Sequence, residues 1–160
     1  MIRPYRPEDL DRLRHITAVC FEGVAIDKNI EDRFGPIGGR DWRWRKLRHI
    51  DADTAGENAR GVFVWEEDGE TVAYVTGRLD RESRIGWIPN LAVLPEFRSR
   101  GIARSLLEHL LNWFTAEGME AAKIETLEQN AVGNRFYPSL GFEEVARQVH
   151  FVKQLTPPPQ

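Results

Sequence analysis

The run from Asn90 to Leu111, NLAVLPEFRSRGIARSLLEHLL, constrains this chain more than any other stretch. It reads as an apolar strand ending at Val93, a tight turn at Pro95-Glu96-Phe97, a glycine-containing loop, and a helix with Leu106, Leu107, Leu110 and Leu111 on one face. A strand that feeds a helix through a short loop makes an anion site. The first N–H groups of a helix have no partners within it, and the aligned peptide dipoles place partial positive charge there. Gly101 lets a bulky anion approach the main chain, Ala103 keeps the next approach point small, and Arg98, Arg100 and Arg104 add cationic donors.

A second patterned stretch lies one helix and one strand downstream. It runs Asn130-x-x-x-Asn134-x-x-Tyr137-x-x-x-Gly141-Phe142. The pair Arg98-x-x-Gly101-x-Ala103 and this tyrosine motif, in this order, resembles the GCN5-related N-acetyltransferase (GNAT) family. The resemblance covers residues 60 to 155, and the run from Asn90 through Phe142 is most like the ribosomal-protein alanine N-acetyltransferases. It implies an α/β (α+β) fold: a central, mostly antiparallel mixed sheet of about six to seven strands, flanked by about four helices, with a splayed strand pair forming the acetyl-CoA cleft. Residues 1–155 would be one N-acetyltransferase domain.

The resemblance also assigns roles. Arg98, Ser99, Arg100, Gly101, Ile102, Ala103 and Arg104 would hold the diphosphate of acetyl-CoA, while Leu91, Ala92 and Val93 offer main-chain groups to the pantetheine arm. Asn130 and Asn134 match cofactor-binding positions; as helix-start residues they would equally cap the last helix. Tyr137 is the candidate general acid for the CoA thiolate. Glu125, twelve residues earlier, is the candidate general base, because an alkyl ammonium with a pKa near ~10 must lose a proton before it can attack. Strand alternation puts Lys123, Glu125 and Leu127 on one face. Asn90 could position a water on the fourth strand, which carries no carboxylate. Transfer would be direct, since Cys20 stands far from both motifs.

From the N-terminus, Ile2 to Tyr5 suits a short strand, and Pro7-Glu8-Asp9 starts a helix that runs to about Phe21. Residues 22–60 are the least legible. Within them, Asp41 to Ile50 reads as a basic aromatic helix at the place of the family's acceptor lid. Trp42 and Trp44 are candidate walls of an acceptor pocket; the competing reading is a surface helix with one tryptophan packed. The Asp68-Gly69 pair joins hairpin strands Val62–Glu66 and Thr71–Leu79. Pro89, within the strand Ile85–Val93, cannot donate to a ladder and predicts a bulge. Ala121–Leu127 is expected as a buried strand, and Glu143–His150 and Phe151–Leu155 as two closing strands. Pro138 threatens the last helix by removing an N–H.

Composition narrows the function classes. Over 160 residues, 41% hydrophobic and 29% charged with net charge −3 is ordinary globular composition, without the basic excess of a nucleic-acid-binding surface. The lone Cys20 excludes an internal disulfide, no Cys/His pair has metal-ligand spacing, and no run reaches the ~20 apolar residues of a membrane span. The expectation is a cytoplasmic enzyme without metal, nucleic-acid or membrane partner, with exposed C-terminal sheet edges that would allow a homodimer, and a frayed tail at 156–160. Two rivals remain: a non-catalytic acyl-CoA-binding sensor and a dinucleotide or ATP domain. Against the second, Gly-x-Gly-x-x-Gly and the P-loop Lys-Ser/Thr are missing. The acceptor amine is not legible.

Overall fold

Alternation in the middle of the chain builds the sheet, and the helices form where the period changes to 3.6. In the computed structural model, which describes residues 1–155, a strand β1 (Ile2–Pro4) leads through a 3-10 turn at Pro7–Asp9 into α1 (Leu10–Cys20). Two further helices follow, α2 (Ile26–Phe34) and α3 (Trp42–Asp53), the latter capped by the Asp41 side chain accepting from the Trp44 N–H. Then come β2 (Val62–Glu67), β3 (Glu70–Asp80), β4 (Ile85–Val93), α4 (Ile102–Ala116), β5 (Ala121–Lys123) and α5 (Ala131–Ser139). The Asp68-Gly69 turn has positive φ at both residues, 50° and 81°, the geometry that a two-residue hairpin loop demands.

The strands lie side by side in sequence order. Neighbours from β1 to β4 are antiparallel, and β5 joins β4 in parallel. Two cores result, one on each face. Phe63, Ala73, Val75, Ile88 and Val93 face α4 through Leu106, Leu107, Leu110 and Phe114. Val62, Val64, Val72, Tyr74 and Ala92 face α1 and α3 through Leu13, Ile16 and Ile50. α4 approaches so closely that a Cβ on Gly86 would stand 2.6 Å from the Phe114 ring.

The expected interruption at Pro89 is present. Thr76 pairs with Asn90 and Arg78 with Trp87, so Gly77 alone opposes Ile88 and Pro89. One extra residue reverses the alternation. Trp87 and Asn90, three apart, therefore lie on the same face, towards α3.

Three expectations need correction. Instead of the buried strand Ala121–Leu127, β5 stops at Lys123 and is largely exposed. It has only Ile85–Trp87 to pair with, and Asn134 Nδ2 then bends the chain away by donating to the Leu127 and Glu128 carbonyls at 3.3 and 2.8 Å. Residues 143–155 form no strands: a strand needs a ladder partner, and this segment has none among the described residues. Among the described residues the sheet thus has five strands where six to seven were expected, with five helices around it where about four were expected. Pro138 does less damage than expected, because it sits one residue before the end of α5. The proline-rich tail at 156–160 lies outside the described residues.

Candidate active site

β4 and β5 part company after Trp87 and Lys123. Beyond that point β4 runs on to Val93 with no neighbour on its β5 side among the described residues. The Leu94 N–H bonds to the Val72 carbonyl at 3.0 Å, so ladder alternation turns the main-chain groups of Leu91 and Val93 the other way, into the gap. The Val93 carbonyl is already engaged there, by Arg98 Nε at 2.9 Å and by Cys20 Sγ at 3.3 Å. Leu91 and Val93 pack on the α4 side and Ala92 on the other, as core side chains.

At the end of β4 the chain turns through Pro95–Phe97 and enters α4. Ser99 and Gly101 both have positive φ, 62° and 80°, the left-handed backbone from which anion-binding N–H concavities are built. Gly101 is the N-cap, no side chain caps the helix, and a Cβ there would meet nothing within 4 Å. The first bond inside the helix runs from the Ser105 N–H to the Gly101 carbonyl, leaving the N–H groups of Ile102, Ala103 and Arg104 without helical partners. Ile102 is anchored in the core, Arg100 lies over the Phe97 ring and donates to the Glu96 carbonyl, and Arg104 reaches Glu108 at 3.7 Å. Uncapped donors, an open approach and exposed cations suit a diphosphate.

Tyr137 and Glu125 flank the gap from opposite faces. Tyr137 packs against the α4-side core between Phe136 and Phe142, with ring centroids at 5.3 and 5.9 Å. Burial pushes its phenol up to about 12, and no hydrogen bond offsets that shift. Glu125 lies on the α3 side with Lys123, while Ile124 packs towards α4, as alternation predicts. Its carboxylate accepts from the Trp87 indole N–H at 2.7 Å, and the Arg78 guanidinium sits over that indole at 5.7 Å.

Of the two readings of the basic aromatic helix, the packing of Trp42 and the exposure of Trp44 match the surface helix with one tryptophan packed, and Asn90 lies beneath that helix. Asn90 is 2% exposed, and both of its side-chain polar atoms are bonded: Lys46 Nζ donates to its Oδ1 at 2.8 Å, and its Nδ2 donates to Asp53 Oδ2 at 2.8 Å. Trp42 is 1% exposed, packed inside rather than lining an open pocket. Trp44 stands on the surface between Arg40 and Arg48, at 4.2 and 4.9 Å from their guanidinium carbons. Asn130 caps α5 by accepting from the Gly133 N–H and also donates to Thr126, so with Asn134 it shapes the loop beside the gap.

Sequence reasoning missed the polar network under α3. Asp53 accepts from Arg78 at 2.7 Å, from Thr76 Oγ1 at 3.2 Å and from Asn90, tying α3 to both strands at the bulge. Burial lowers the Lys46 pKa, opposed by Asp27 and Asp53, and its ammonium lies 4.1 Å from the Phe21 ring centroid. A signal existed: Trp42, Lys46, Ile50 and Asp53 recur at helical spacing on the inward face. The place of Cys20 was not legible either. It is remote in sequence yet touches the end of β4, and burial raises its thiol pKa.

A family model described as the acetyltransferase (GNAT) family matches residues 11–142. The chain belongs to the GNAT acetyltransferase family. Aminoglycoside N(6')-acetyltransferase type 1 of Salmonella typhimurium is 25% identical over 99 residues, covering 58% of this chain and 68% of that enzyme. The [ribosomal protein bS18]-alanine N-acetyltransferase of the same organism is 42% identical over 55 residues, only 34% of this chain and 37% of that enzyme. Among solved structures, aminoglycoside N-acetyltransferase AAC(6')-Iy in complex with CoA superposes with a TM-score of 0.64 at 20% identity, over 96% of this chain and 99% of that one. These GNAT relatives share the fold and carry different acceptors in their names.

Proposed function

We propose that this GNAT protein transfers the acetyl group of acetyl-CoA directly to a primary amine. The observation that carries the reading is the uncapped start of α4 at one end of the β4–β5 gap, with Tyr137 and Glu125 on its two faces. The N–H groups of Ile102, Ala103 and Arg104, with Arg98, Ser99, Arg100 and Gly101, would hold the diphosphate, and Leu91 and Val93 would bond the amide-bearing arm that lies in the gap. When bound, acetyl-CoA supplies an activated acyl carbon and a thiolate leaving group. CoA bound to the AAC(6')-Iy neighbour supports this cosubstrate.

Glu125 takes the proton of the incoming ammonium. The Trp87 indole N–H fixes which way its carboxylate points, and Lys123 stands 3.8 Å away. Tyr137 keeps its proton throughout the neutral range and offers it as a hydrogen bond to the departing sulfur. Asp53 and Asn90 brace the bulge that sets Trp87 on the acceptor side. For the acceptor, the relatives suggest two classes, amino sugars and protein N-termini. The test is thiol release from acetyl-CoA across aminoglycosides, peptide N-termini and small amines, in the wild type and in Glu125→Gln. Turnover of one class, reduced roughly 100-fold or more in the variant, is the expected outcome. Tight acetyl-CoA binding without turnover of any amine would instead support an acyl-CoA sensor.

A further inference from the structure

From Arg40 to Arg48 the chain reads RDWRWRKLR, five cations and one acid in a protein whose net charge is −3. Helical spacing divides the cations between two faces of α3. Arg45 and Lys46 turn inward, to Asp27 at 3.3 Å and to Asn90 at 2.8 Å. Arg43, Trp44 and Arg48 are exposed on the outer side, with Arg40 in the turn before the helix. Arg43 holds its carboxylates only loosely, Glu22 and Asp41 both standing 3.8 Å away. Among the described residues, the guanidinium groups of Arg40 and Arg48 form no ion pair and no hydrogen bond.

These two groups are placed all the same. Both lie over the Trp44 ring, at 4.2 and 4.9 Å from its centroid. A guanidinium stacked on a ring keeps its in-plane N–H edges free, and that fork of donors matches a carboxylate. The ring's π surface is committed to the two cations, which leaves less of it for a nucleic-acid base. The exposed chemistry is therefore a rigid pair of carboxylate receptors.

We infer that this outer face of α3 docks an acidic peptide segment, and that the acceptor is a polypeptide whose reactive amine lies close to that segment. The acceptor half rests on the proposed amine acetylation. Through Lys46 the inner face of the same helix meets Asn90 of β4, one residue before Leu91 turns its main chain into the gap. A helix is about 10 to 12 Å across, a distance that roughly three to four residues of extended chain span. A polypeptide with an amine and clustered Asp and Glu at that separation reaches both places. An amino sugar, itself a cation, meets like charge on this face.

Fluorescence anisotropy tests the docking without turnover, using labelled hexaglutamate, hexalysine and a single-stranded RNA oligonucleotide. Hexaglutamate should bind best, and Arg40→Gln/Arg48→Gln should weaken it roughly tenfold. The matched pair Arg81→Gln/Arg84→Gln, on the bend before β4, should change it by less than about twofold. Absence of hexaglutamate binding, equal losses in the two pairs, or tighter binding of RNA would overturn the inference. Should a variant fail to fold, hydrogen exchange on the wild type decides: hexaglutamate should slow α3 amides and leave those of the Asp80–Arg84 bend unchanged, and the reverse refutes docking. Acetylation of peptides that differ only in an acidic or a basic segment tests the acceptor half. A higher kcat/KM for the acidic peptide, lost in Arg40→Gln/Arg48→Gln with kcat kept, supports it, and equal rates refute it. Docking of hexaglutamate with no peptide acetylated would overturn the acceptor half together with the proposed acetylation of peptides, while the docking face stands.

Discussion

Replacing Tyr137 by phenylalanine removes one oxygen that the fold does not use. The hydroxyl enters no hydrogen bond that perturbs its titration, and the ring keeps its contacts with Phe136 and Phe142. Stability should therefore change by less than about 0.5 kcal/mol. The kinetic effect follows from the titration. A phenol at about 12 sits roughly 3.5 units above a thiol of ordinary pKa, so complete proton transfer to the leaving thiolate would be uphill by roughly 5 kcal/mol. Tyr137 should act instead as a hydrogen-bond donor to a sulfur that gains charge. Such a bond contributes about 1.5 to 3 kcal/mol, or roughly 10- to 150-fold in kcat/KM. Steady-state thiol release at saturating acceptor, with a parallel thermal melt, measures both quantities. Because the phenol stays protonated, it should produce no alkaline limb in the rate below about pH 10. Full activity in Tyr137→Phe would refute the reasoning, as would an activity loss explained by a lower melting temperature, or a wild-type limb near about pH 9 that the variant abolishes.

Other residues give independent checks. Asp53→Ala strands Arg78, Thr76 and Asn90 without an acceptor; since the Arg78 side chain is 31% exposed and water can reach it, the expected loss is about 2 to 3 kcal/mol, read as a melting temperature lower by roughly 5 to 10 °C. Asp53→Asn, which keeps an acceptor oxygen, should lose less. Gly101→Ala meets open space but forces φ of 80° on a residue with a Cβ, a cost of about 1 to 2 kcal/mol, and calorimetry should show weaker CoA binding with little change in kcat. Burial alone would lift the Asp9 carboxyl, but Arg3 and the Arg6 N–H outweigh it and hold it below its usual range. The Arg3–Asp9 pair therefore stabilises the fold fully above about pH 4 and is lost as pH falls through the lowered value; urea melts should show Asp9→Asn flattening that acid dependence.

The parts that sequence made legible are those where local chemistry decides. Asp68-Gly69 announced the hairpin and Pro89 the bulge, because the turn needs residues that tolerate positive φ and proline lacks a ladder donor. Strand alternation separated Lys123 and Glu125 from Ile124, and Ile124 alone of the three packs towards α4. The acceptor side was opaque for a different reason. Lys46 and Asp53 look like ordinary helix charges until the bulge brings Asn90 and Arg78 beneath them, and that meeting joins residues 25 to 44 apart. The buried state of Trp42 likewise depends on where α2 and α3 meet. Residues 143–155 failed as a pair of strands because an extended pattern says what a segment can do and not which edge receives it.

The single unpaired residue of β4 sets a rule for how this protein can change over time. Between Gly86 and Leu91, side chains can be exchanged while Trp87 and Asn90 keep their common orientation, but gaining or losing one position would turn one of them into the opposite layer and pull apart the bridge to α3 and the hold on Glu125. The Asp80–Arg84 hairpin bend, by contrast, can lengthen or shorten without touching either. Among descendants of this sequence, length should vary freely at that bend and be frozen six residues later.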